Sequence, residues 1–151
     1  MIDIHCHIIP GIDDGATSMD EALAMCKIAA DDGIRTIVAT PHRGSNFVVN
    51  TTRHQVIEGV KVLQKELQAK NIALEIIPAH ENFIYDELLA DIEAGKALTI
   101  NDQRKYVLLE TPFESVPFYV FTVIETLKKK GIIPIIVHPE RNAQIQDDMR
   151  I

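Results

Sequence analysis

Six acid or imidazole groups, His5, His7, His42, Glu81, Glu110 and His138, carry most of the chemistry this sequence could perform. In His5-Cys6-His7, an extended chain alternates its side chains between two faces, so both imidazoles share one side and Cys6 takes the other. Two imidazoles so placed can grip one ion. A lone His-x-His is a weak signal, but groups of the same kind recur after each later apolar run. Imidazole with carboxylate, and no thiolate partner, suits Mn, Fe or Zn better than a soft-metal or iron–sulfur site. Ligands drawn from several strands imply more than one ion.

The neighbouring residues have competing readings. Asp13-Asp14-Gly15 is a strong turn signal, in which Asx side chains cap local backbone, and Asp14 is equally a ligand candidate. Glu81 is either a ligand or a solvated loop carboxylate. Glu110 follows Val107-Leu108-Leu109, and an unpaired carboxylate at the end of a buried strand is costly. His80 alternates with Glu81 and should point away from it, and His54 lies in a helical stretch, so both read as structural. Arg141, three residues beyond His138, could bind phosphate bidentately or form a surface salt bridge. Cys6 reads as a small apolar packing residue, not a nucleophile.

The elements that must position these groups alternate in type. Strands are expected near residues 1–5, 34–40, 72–78, 106–110 and 132–137. Between them, Ser18-Met19-Asp20-Glu21 has the form of a capping box before an apolar face of Ala22, Leu23, Cys26, Ala29 and Ala30. Val56, Val60, Leu63 and Leu67 mark a second helix, and residues 87–93 a short one that Gly95 ends. Pro117 suits the first turn of a helix that turns Val120, Phe121, Ile124 and Leu127 inward and stops at Gly131. Five βα-type repeats predict a single α/β domain over residues 1–151, with a parallel sheet of about five strands. The candidate ligands fall at or just beyond the C-terminal strand ends, where parallel α/β folds build their sites.

Composition narrows the function classes. With 46% hydrophobic and 25% charged residues the chain has a globular core, and no apolar run reaches the roughly 20 residues of a membrane span. A net charge of −7 disfavours nucleic acid, and the basic run Lys128-Lys129-Lys130 reads as a helix C-terminus that complements the helix dipole. The opening Met1-Ile2-Asp3-Ile4-His5 has no leader-like region, which favours the cytoplasm. Two cysteines, Cys6 and Cys26, cannot build a disulfide framework.

In combination the motifs resemble a known family. Residues 4–15 (Ile-His-Cys-His-Ile-Ile-Pro-Gly-Ile-Asp-Asp-Gly), Thr40-Pro41-His42, the run 88–101 and His138-Pro139-Glu140-Arg141 are similar to the PHP-type tyrosine phosphatases of bacterial capsule and exopolysaccharide gene clusters. The resemblance covers the whole chain. It implies a distorted (β/α) barrel, here incomplete, with up to three metal ions, most commonly Mn2+, that bind phosphate and activate water. By the same resemblance His5, His7, Asp14, His42, Glu81, Glu110 and His138 are ligands, Glu81 bridges two ions, and Arg141 contacts phosphate. His42 is counted with Arg141 among the catalytic groups. The implied substrate is a phosphotyrosine protein, a bacterial tyrosine kinase, with no role for nucleic acid or membrane insertion.

Two departures from the family pattern matter. Arg43 follows His42 where a second histidine is common, and the chain stops at Ile151, before the family's late Asp-x-His pair. The resemblance then implies partial metal coordination, reduced activity and self-association through uncovered sheet edges. Rival readings are a small-molecule phosphoesterase similar to histidinol phosphatase or a polymerase-associated PHP domain, and a non-catalytic metal- or kinase-binding module.

Overall fold

In the computed structural model, which describes residues 1–44, 50–148 and 150, strands and helices alternate from the N-terminus onward. Strand β1 (Ile2–Cys6) leads to α1 (Met19–Asp31), and β2 (Thr36–Ala39) with β3 (His42–Arg43) leads to α2 (Arg53–Ala69). Next come β4 (Glu75–Pro78), β5 (Glu81–Phe83) and α3 (Leu88–Glu93), then β6 (Tyr106–Glu110) and α4 (Phe118–Lys129). Finally β7 (Ile133–Ile136) passes through a 3₁₀ turn, Pro139–Arg141, into α5 (Ala143–Asp147).

The fold is α/β, and its strand pairings are parallel, in two sheets of order β1-β2-β4 and β3-β5-β6-β7. This corrects the expectation of one sheet of about five strands. Five strand paths do lie side by side in chain order, but two of them are broken. Pro41 has no N–H to give a ladder and separates β2 from β3, and Ala79-His80 separates β4 from β5. Hydrogen bonds from Thr40 N to the Cys6 carbonyl (2.9 Å), Ala79 N to Ala39 (2.9 Å) and Glu81 N to Pro41 (3.2 Å) carry the alignment across both breaks. Among the described residues β1 and β4 end the first sheet and β3 and β7 the second, and β1 and β7 are the outermost of the five strand paths.

Capping side chains and apolar faces fix the helices. Ser18 Oγ accepts from Glu21 N, but the Glu21 carboxylate takes Thr17 N and Oγ instead of returning to Ser18, so the expected capping box is half formed. Thr52 and Gln55 make a complete box at the start of α2, whose Val56, Val60, Leu63 and Leu67 are buried. In α4 Val120 and Leu127 are buried and Ile124 packs against the same core. Phe121 departs from the expected inward face and is 42% exposed. Gly131, at φ 76°, ends α4 in the left-handed conformation that glycine adopts without strain.

Val38, Ala79, Leu108 and Val137 from successive strand paths pack together, with Ile77 and Ile135 against them. Their common face is the one that carries the site. Counting two residues along the chain puts Glu81 beyond Ala79 and Glu110 beyond Leu108, so an apolar floor ends where the carboxylates begin. Leu108→Ala should open a cavity in that floor and cost about 2–5 kcal/mol of stability. Urea denaturation would measure the loss, and one well below 1 kcal/mol would show that the floor collapses freely.

Candidate metal centre

The Glu81 carboxylate is fully buried, and imidazoles surround it. His138 Nε2 lies 2.6 Å from Oε1, while His5 Nε2, His7 Nε2 and His42 Nδ1 lie 3.3, 3.0 and 3.0 Å from Oε2. The contacts to Oε2 are short but lack hydrogen-bond geometry. Glu81 Oε2, His5 Nε2 and His42 Nδ1 are therefore buried polar atoms without a hydrogen-bond partner among the described residues. Buried lone pairs left in that state are expensive. A divalent cation among them would satisfy all three, so the residues present fit a metal.

Each of these ligand candidates is delivered by its strand. His5 lies in β1 with His7 just beyond, His42 opens β3 and Glu81 opens β5, paired in register with His42. His138 is the exception. Val137 packs on the inner floor, so strict alternation would turn the next side chain outward. His138 instead takes φ 29° and ψ 53°, a strained conformation for a side-chain-bearing residue, and this swings its ring back to Glu81.

Asp13 organises the second layer. Its Oδ2 lies 2.7 Å from His7 Nδ1 and accepts from His42 N at 3.2 Å, and Oδ1 accepts from Gly15 N at 3.1 Å. With His7 Nδ1 so engaged, Nε2 is the atom left to face Glu81. The turn needs glycine at position 15, because a Cβ there would stand 2.1 Å from the His7 carbonyl oxygen. Sequence reasoning read Asp13 only as part of a turn. The signal that could have found it is Asp13's position one turn beyond an imidazole that needs a partner for its second nitrogen.

Electrostatics follows from these contacts. Burial acts to raise the Glu81 pKa, but the contacts with His42, His5 and His7 outweigh it and hold the carboxyl far below the ordinary range. Burial likewise opposes charge on His7, yet Asp13 and Glu81 push its pKa up to about 10. The contact with Glu81 raises His42 against its burial. Glu110 moves the other way, raised by burial and by the charge of Glu81.

Three groups of side chains could each hold an ion: His5, His7 and Glu81; His42, Glu81 and Glu110; and His7, Asp14 and His42. The third is the least complete, because Asp13 occupies His7 Nδ1, the nitrogen that faces Asp14 at 3.6 Å. Asp14 is mostly exposed and lies 3.3 Å from His42 Nε2. A cavity of about 420 Å³ is lined by His5, His7, Asp14, His42, Glu81, His138 and Arg141. Glu110 stands behind this lining, 3.9 Å from both His42 Nδ1 and His138 Nε2. The Arg141 side chain has no ion-pair partner among the described residues.

Residues 1–151 match the capsular polysaccharide synthesis family CpsB/CapC. The chain belongs to the CpsB/CapC family. It is 43% identical to the tyrosine-protein phosphatase YwqE of Bacillus subtilis over 148 residues, 98% of this chain and 58% of that protein. It is 33% identical to the tyrosine-protein phosphatase CpsB of Streptococcus pneumoniae over 98% of this chain and 60% of the relative. A chain from the crystal structures of YwqE and pneumococcal CpsB, described as unique metal-dependent tyrosine phosphatases, superposes with a TM-score of 0.92 at 41% identity, covering 97% of this chain and 59% of that one. The chain thus spans a little under two thirds of these CpsB/CapC relatives.

Two residues near the centre take structural places in this CpsB/CapC chain. His80 is fully buried and accepts the Leu98 N–H on Nδ1 at 2.9 Å, while burial and the nearby Arg43 and Arg53 lower its pKa to about 3. Arg43, where the family pattern often has histidine, points away from Glu81 and reaches Asp91 (2.7 Å), Tyr85 Oη (3.2 Å) and the Thr51 carbonyl (3.1 Å). It ties β3 to α3 and so anchors the strand that presents His42. Asp13→Asn should weaken divalent-metal binding about 10–100-fold, the usual cost of losing a partner that orients a ligand. Calorimetric titration of folded protein checks this, and unchanged affinity would remove Asp13 from the ligand-orienting role.

Proposed function

We propose that this chain carries the metal- and phosphate-binding part of a phosphatase that hydrolyses phosphotyrosine in a protein of capsule or exopolysaccharide synthesis. The observation that carries the reading is the convergence of four imidazoles on buried Glu81 in a cavity that Arg141 also lines. The phosphatase names of the CpsB/CapC relatives support it.

In this reading His5, His7 and Glu81 would hold one ion, His42, Glu81 and Glu110 with His138 another, and Asp14 would serve a third. The proposed metal is Mn2+, with Fe or Zn compatible with the same ligands. Bound cations would neutralise charge on phosphoryl oxygens and lower the pKa of water toward neutrality. Arg141 takes phosphate oxygens through its planar fork of N–H donors. Asp13 keeps His7 in one tautomer, and the apolar floor of Val38, Leu108 and Val137 excludes water from below.

No cysteine chemistry is required. Burial, with the charges of Asp3 and Asp13, pushes the Cys6 thiol up to about 11, and burial pushes Cys26 up to about 12. A raised thiol pKa means little thiolate at neutral pH, the opposite of an activated nucleophile. The proposed setting is the cytoplasm, with a bacterial tyrosine kinase as substrate. Among the described residues no helix is long and apolar enough to cross a membrane. Exposed Ile2 and Ile4 on β1 and Ile133 on β7 support self-association into a homo-oligomer.

Metal analysis of protein prepared without chelator, together with turnover of a phosphotyrosyl peptide and of histidinol phosphate, tests the reading. Bound Mn2+ with preference for the peptide is expected, and a metal-free chain that stays inert after Mn2+ addition would overturn it. Arg141→Ala should keep its metal and lose about 10²-fold in turnover, the scale of one lost charge-stabilising donor, whereas His138→Ala should lose both. Equal metal loss in the two variants would end the division of roles. Iodoacetamide at pH 7.5 should leave activity intact, and rapid inactivation that Cys6→Ala prevents would bring the thiol back into the chemistry.

A further inference from the structure

Beside the polar cavity stands a half-exposed aromatic ring that the metal chemistry does not use. Phe113 follows Glu110 by three residues, at the same C-terminal strand end as the ligand candidates, and is 48% exposed. Its ring faces the His138 imidazole with centroids 6.4 Å apart and planes within 28°. The same His138 ring meets Glu81 through its Nε2 edge, so Phe113 stacks on a face of a ring that belongs to the site.

The loop that carries Phe113 is held in place. Asn142, almost fully buried, donates Nδ2 to the Pro112 carbonyl at 2.7 Å, Ala143 N donates to the Phe113 carbonyl at 2.7 Å, and Val116 N donates to Gln144 Oε1 at 2.8 Å. All three bonds come from the segment directly after Arg141. The backbone segments that carry Phe113 and Arg141 are therefore tied to one another, Arg141 lining the cavity and Phe113 standing against its His138 wall.

We propose that Phe113 is the residue that recognises an aryl leaving group, its ring stacking on the phenyl ring of an ester whose phosphate is taken by Arg141 in the cavity. The inference rests on the phosphatase reading above and assigns to one residue the discrimination of phenol esters from those of aliphatic alcohols. A pair of aromatic rings in offset or tilted contact gains affinity beyond simple burial, and an alkyl phosphate has no ring to offer.

Calorimetric titration of the Mn2+-loaded chain with phenylphosphonate and with methylphosphonate, which are not hydrolysed, reads this contact without relying on turnover. The wild-type chain should bind phenylphosphonate about 3- to 10-fold more tightly than methylphosphonate, the range expected of one aromatic contact. Phe113→Ala should abolish that ratio while methylphosphonate binds as before, and Phe113→Trp should restore it. A wild-type chain with no aryl preference, or a preference that survives Phe113→Ala, overturns the proposal. Equal weakening of both ligands in Phe113→Ala also overturns it, because the ring would then only support His138. If neither phosphonate binds the wild-type chain, the phosphatase reading itself fails and takes this inference with it.

Discussion

A carboxylate buried as completely as Glu81 has to be compensated, and most of this structure is arranged around that requirement. Moving an ionised carboxylate out of water costs several kcal/mol even after relaxation, so the surroundings must return that energy or the group must take up a proton. His138 does so at Oε1, and three more imidazoles from β1 and β3 or their ends stand 3.0–3.3 Å from Oε2, where a divalent cation would complete the balance. Because the compensation is electrostatic and short-ranged, it constrains positions on elements far apart in the chain. Strand order, the break at Pro41 and the strained backbone of His138 all serve to bring those rings within reach.

Much of the architecture was legible in the sequence, for identifiable reasons. The apolar runs ending at Ala39, Pro78, Glu110 and Val137 have strand length and are separated by helical periodicity, which leaves few alternatives to parallel βα units. Glu81, Glu110 and His42 were legible as candidate positions because each interrupts an apolar context at a strand end. The helix of Val56, Val60, Leu63 and Leu67 was equally plain, since four apolar residues at helical spacing define one face.

What stayed hidden depends on tertiary context. Periodicity counts residues and does not see that Pro41 and Ala79-His80 interrupt a ladder, so seven strands in two sheets read as five in one. Phe121 fits the apolar spacing of α4, yet the described chain leaves its face partly open. Asp13 sits in a dipeptide whose local turn propensity explains it fully. Only when the loop folds back on His7 does its second role exist. Arg43 is similar, because its partners Tyr85 and Asp91 lie 42 and 48 residues away and no local pattern links them.

The side-by-side order of the strand paths has a consequence for synthesis on the ribosome. Chain order and spatial order coincide, so each new βα unit can dock on the one before it as it emerges, and little sheet structure has to be undone. The charge balance does not follow the same schedule. Glu81 emerges with His5, His7 and His42 already available, but His138 lies 57 residues further on, which at about 5–20 residues per second is a delay of roughly 3–11 s. In that interval the nascent sheet holds its central carboxylate with one of four imidazoles missing, β6 emerging about midway and β7 only at its end. The last of the four imidazoles to emerge directly follows Val137 of the apolar floor, so the charge balance at Glu81 and the floor beneath it are finished together.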